Sequence, residues 1–117
     1  MSTSVEVELD IFSGMPNPTW VLTKAEADSF VAQLAALPRT SATELLGNLG
    51  YRGFIVHVTQ GADTQLIRIQ KGKVHISSGA MSVYASDKDR KLERWLFHTG
   101  KPHLKAELFS IVEREFR

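Results

Sequence analysis

In Val5-Glu6-Val7-Glu8-Leu9-Asp10-Ile11-Phe12, apolar residues alternate with acidic ones. A period of two belongs to a β-strand with one buried and one wet face, so Val5, Val7, Leu9 and Ile11 are expected to face a core. Further along, Gly53-Phe54-Ile55-Val56-His57-Val58-Thr59 is rich in β-branched and aromatic residues and reads as a second strand after a glycine. Gly61-Ala62-Asp63 reads as a turn. Gln65–Ile69 and Val74–Ser77 read as two strands joined by Lys71-Gly72, a tight hairpin in which glycine supplies a positive φ. Ser78–Ser86 reads as a loop or ragged edge.

Helices fill the gaps. Thr23 and Glu26 form a capping box, and Phe30, Val31, Leu34 and Leu37 follow at helical spacing until Pro38 ends the run. Ser41, Glu44 and Gly47 mark a short helical turn over 42–46. Ser86 is expected to cap a helix with Leu92, Trp95 and Leu96 on its buried stripe and Gly100 as its stop. Pro102 suits the first turn of a last helix, in which Leu104, Leu108, Ile111 and Val112 share a face. The resulting order, β-α-β-β-β-α-α, predicts an α+β two-layer sandwich: a four-stranded, largely antiparallel sheet with helices on one face. The direction of the second strand relative to the first stays open. One helix returns the chain for parallel pairing, whereas an extra turn at 42–46 reverses it.

The chain has 117 residues and 43% hydrophobic content, which suits one domain, residues 1–117, with 1–4 expected to be disordered. Lys+Arg 14 against Asp+Glu 13 gives a net charge of +1, without the basic bias of a nucleic-acid or membrane binder. The absence of cysteine excludes disulfides, thiolate metal sites and cysteine nucleophiles, and fits a cytoplasmic protein. Neither a secretory leader nor an apolar run long enough to span a bilayer is visible.

Between the first strand and the first helix stands Phe12-Ser13-Gly14-Met15-Pro16-Asn17-Pro18-Thr19-Trp20. Its prolines fix their own φ and push Met15 and Asn17 into extended geometry, so the segment is a stiff corner. The corner resembles the F-S-G-x-P-N-P-x-W segment of a group of small bacterial and fungal proteins. Gly47-Asn48-Leu49-Gly50-Tyr51-Arg52-Gly53-Phe54 is similar to the glycine-rich stretch that follows in them. The resemblance supplies no catalytic residues. It implies that the two loops belong together.

These loops provide the first candidate site: Ser13, Asn17, Trp20, Tyr51 and Arg52. Held on a rigid corner, an exposed Asn17 offers an amide donor and acceptor, Trp20 an apolar pocket wall and Arg52 an anion contact. Packing alone is the competing account of the same corner, with Trp20 buried and the glycines serving turns. The second candidate is the wet sheet face, where alternation places Asp10, His57, Arg68 and His75. Neutral imidazoles with a carboxylate suit zinc or a similar ion, and would make the chain a small enzyme. Half-exposed structural histidines are the simpler reading, so no metal or cofactor is expected. No G-x-S-x-G elbow or phosphate-binding glycine loop is present. Lys88, Arg90, Lys91 and Arg94 interleave with Asp87, Asp89 and Glu93 and read as a solvated helix surface. The sequence therefore points to a non-catalytic binding or accessory domain for a peptide, protein or small molecule, an immunity-type or biosynthetic accessory role included. The histidine-based enzyme is the alternative.

Overall fold

A computed structural model describes residues 3–12, 14–42 and 50–116. The chain forms an α+β fold in which one antiparallel sheet carries three α-helices. The strands are β1 (Thr3–Leu9), β2 (Thr19–Val21), β3 (Arg39–Thr40), β4 (Phe54–Gln60), β5 (Asp63–Gln70), β6 (Lys73–Ser78) and β7 (Met81–Ser86). The helices are α1 (Lys24–Ala36), α2 (Lys91–Thr99) and α3 (Ala106–Glu113). The sheet has seven strands in the order β2-β1-β4-β5-β6-β7-β3, rather than the expected four.

Three strands account for the difference. β2 and β3 are too short to show a period, and each forms an edge of the sheet. β7 occupies the stretch expected to be a loop: Gly79-Ala80 turns the chain back, and Val83 and Ala85 pair with Ile76 and Val74. The open question of direction is settled by β1 and β4, which pair antiparallel from Thr3–Gln60 to Leu9–Phe54. That ladder also brings Thr3 and Ser4 into the sheet, where disorder was expected, because Gln60 and Thr59 stand opposite them.

Alternation along β1 behaves as its sequence requires. Val5, Val7 and Leu9 are buried, and they stand opposite the buried Val58, Val56 and Phe54 of β4. Ile67, Ile69, Val74, Ile76 and Ala85 extend this face, and Phe30, Leu34, Leu92, Leu96 and Val112 complete the core from the helices. The capping box at Thr23 and Glu26 is formed, and Lys71-Gly72 makes the expected two-residue hairpin, both residues at positive φ. Gly53 is irreplaceable for a second reason besides its φ of +88°. A Cβ there would stand 2.0 Å from the carbonyl oxygen of Ile69.

The junction before α2 differs from expectation. Ser86 ends β7, and Asp87 does the capping: its buried carboxylate accepts the N–H groups of Leu92 and Glu93 at 2.9 Å each. Pro102 starts a separate 3-10 turn over Lys101–His103, and α3 begins at Ala106. The helical turn expected over 42–46 falls largely outside the described residues. None of the helices among the described residues is long and apolar enough to cross a membrane.

Candidate functional site

The proline corner is tied down by one side chain. Asn17 Oδ1 accepts the N–H of Ile11 at 3.1 Å and of Phe12 at 2.8 Å. Its Nδ2 donates to Glu8 at 2.9 Å and to Asp10 at 3.4 Å. Both lone pairs and both N–H groups of the amide are thus used within the chain. Pro18 adds a carbonyl that accepts from Leu9 N at 3.0 Å, which leads the chain directly into β2.

Arg52 joins the proline corner to the segment that leads into β4. It lies beside Asp10, which accepts from its Nε at 3.1 Å and its Nη2 at 2.9 Å, and Nη2 also donates to the Phe12 carbonyl at 2.8 Å. The backbone repeats the connection, with Arg52 N donating to Asp10 O at 2.8 Å and Asp10 N to Gly53 O at 2.9 Å. Arg68 approaches the same carboxylate from β5 at 3.5 Å. The corner and the wet face, separate candidates in the sequence, therefore meet at Asp10.

The histidines do not complete a metal site with it. His57 lies 3.9 Å from Glu8, while His75 bonds Ser82 at 2.6 Å and stacks on Tyr84 with ring centroids 4.5 Å apart. Among the described residues, no group of three His, Asp or Glu side chains is placed to hold a metal ion.

Trp20 faces the helices instead of the wet side. It is 4% exposed, its Nε1 donates to Thr99 at 3.0 Å, and its ring lies against Gly100 and edge-on to Phe54. Tyr51 is buried as well, with its hydroxyl donating to Glu93. Burial raises the Tyr51 pKa well above its ordinary value, and the Glu93 charge and hydrogen bond add to the effect. Glu93 is fully buried, accepting also from Gly72 N at 3.0 Å and from Arg90 Nη2 at 2.9 Å. The charge run from Lys88 to Arg94 is thus only partly a solvated surface. Arg90 leaves it to pair inward, and its guanidinium also covers the Phe116 ring at 4.4 Å. Ser13 lies outside the described residues.

With Asn17 and Arg52 holding the corner from its polar side, its apolar side chains turn toward α3. Phe12, Met15 and Pro18 form one wall of a groove of about 450 Å³, and Leu104, Leu108 and Ile111 form the other. His103, Lys105 and Glu107 stand at its rim. Met15 and Ile111 are 58% and 52% exposed, unusual for large apolar side chains that flank one depression. Sequence reading missed this groove, although it placed Leu104, Leu108, Ile111 and Val112 on one helix face. The missing signal was width. Val112 is buried, Phe109 stacks on Phe97 at 4.3 Å and Leu108 packs partly against the core, so the apolar face of α3 is wider than the core covers and Ile111 is left exposed at the groove.

No family model, curated protein or solved structure matches the chain.

Proposed function

We propose that this chain is a non-catalytic binding domain that receives an apolar group of a peptide, protein or small molecule in the groove between the proline corner and α3. The observation that carries the reading is the pairing of exposed Met15 and Ile111 across a depression whose one wall is held rigid. Pro16, Pro18 and the Asn17 amide fix that wall before any ligand arrives, so little conformational freedom is lost on binding. Concave, mostly apolar surfaces with a few polar groups at the rim are the usual form of small-ligand sites. The polar face supports catalysis less well, since the Asp10 carboxylate is engaged by Arg52, Arg68 and Asn17.

Fluorescence titration with Nile red, an uncharged apolar reporter, tests the reading. Saturable binding should be lost in Ile111→Asp, which places a charge in the groove at an exposed position. Binding that is absent, or unchanged by that substitution, contradicts it.

A further inference from the structure

A second depression lies between α1 and strands β5 to β7, and it shares no residue with the groove at the corner. Its volume is about 360 Å³, at the lower end of ligand cavities. Leu34, Ile76 and Val83 provide apolar surface, and Met81, 68% exposed, offers an adaptable wall. Register makes the remaining lining informative. Gln65 stands opposite Val58, and Ser78 lies two residues beyond the buried Ile76, so both occupy the helix-facing side of the sheet. Elsewhere that side is filled by buried apolar side chains, Leu9, Phe54, Val56, Ile67 and Val74 among them. Here it carries an amide and a hydroxyl that have no side-chain partner among the described residues.

Arg39 supplies the charge. It pairs with the buried Ala85 across the β3–β7 edge, which puts it on the same side. Its Nη1 donates to the carbonyls of Leu34 at 3.2 Å and Leu37 at 3.3 Å, fixing the guanidinium at the end of α1. No carboxylate among the described residues pairs with it, and Nε and Nη2 have no protein acceptor there. That edge of a guanidinium presents two parallel N–H groups, which match the two oxygens of a carboxylate.

We propose that this cleft binds a small amphipathic carboxylate, with its anionic head on Arg39 and its apolar body along Leu34, Ile76 and Val83. Gln65 and Ser78 lie toward Met81, four residues along β7 from the Ala85 that Arg39 pairs with, at the far end of the cleft from the head. The site is independent of the groove at the corner, so either can fail alone.

Calorimetric titration with octanoate and with 1-octanol, which share an apolar chain but differ in the head, provides the test. Octanoate should bind saturably, one per chain, and at least about tenfold more tightly than octanol. Arg39→Met should remove that preference, while Ile111→Asp should leave it intact. Should Arg39→Met fail to fold, amide shift changes in the wild-type protein take its place, and octanoate should move Leu34, Gln65, Ile76 and Val83. Equal affinities for the two ligands, no saturable binding, or shifts confined to Phe12, Met15 and Ile111 would overturn the proposal.

Discussion

The Asn17 side chain donates to Glu8 at 2.9 Å while its oxygen receives the N–H groups of Ile11 and Phe12, so a single amide closes the corner onto the end of β1. Two of its acceptors are carboxylates and two of its donors are backbone groups that lose their partner if the side chain is cut back. Asn17→Ala should therefore lower stability by about 1–3 kcal/mol, as for polar groups left unsatisfied. Thermal unfolding followed by circular dichroism measures this. An unchanged melting temperature would show the amide to be free for a ligand, as the sequence alone suggests.

Trp20 and Gly100 make a second tight contact. A Cβ at Gly100 would stand 2.6 Å from the Trp20 ring, which is itself held by Thr99 and Phe54. Gly100→Ala is expected to cost about 1–3 kcal/mol through overpacking, although alanine favours helices. Urea unfolding would detect it. A neutral or stabilising effect would mean that the ring has room to move.

Glu93 is the most consequential buried charge. Removing it in Glu93→Ala leaves Arg90 without its buried partner and Tyr51 without its acceptor, at an expected cost of about 3–5 kcal/mol. Asp89 and Arg90, both at positive φ, precede it at the start of α2, and Arg90 is bonded to it. Loss of the pair should also loosen Phe116, which packs on Phe97 and Tyr51 under the Arg90 guanidinium.

Tyr51 adds a dependence on pH. Its folded-state pKa lies above the ordinary tyrosine value near 10, so the unfolded chain releases this proton first as pH rises. The unfolded state then binds fewer protons than the native state, and stability falls with pH above about 10. Urea titrations at alkaline pH should show a steeper decline for the wild type than for Tyr51→Phe. Parallel declines would contradict the burial of this hydroxyl beside Glu93.

The parts of the fold that were legible in the sequence are those in which local pattern and tertiary burial agree. The β1 alternation, the Thr23–Glu26 box and the Lys71-Gly72 hairpin are of this kind. β2 and β3, with three and two residues, owe their existence to neighbours already in place, Val7 and Ala85 among them. β7 begins with the exposed Met81 and Ser82 after Gly79-Ala80, so its strand period emerges only when Ile76 and Val74 stand opposite. Glu93 is hidden for a different reason. It sits in a run of charges that resembles a wet helix, and the partner that draws it inward, Tyr51, is distant in sequence. The candidate residues Asn17, Trp20, Tyr51 and Arg52 were recognisable as unusual, but the direction each side chain faces depends on elements formed elsewhere.

Comparative capture from the native host separates binding in the corner groove from binding on the open sheet face. Wild type, Ile111→Asp and His57→Ala would be used as baits, with bound proteins and small molecules quantified by mass spectrometry. Ile111 lines the groove, whereas His57 lies on the open sheet face with its side chain 43% exposed. A ligand held in the corner groove is retained by wild type and His57→Ala and lost from Ile111→Asp, with all three proteins equally folded by circular dichroism. A ligand kept by Ile111→Asp and lost from His57→Ala would contradict the groove reading and place recognition on the open sheet face.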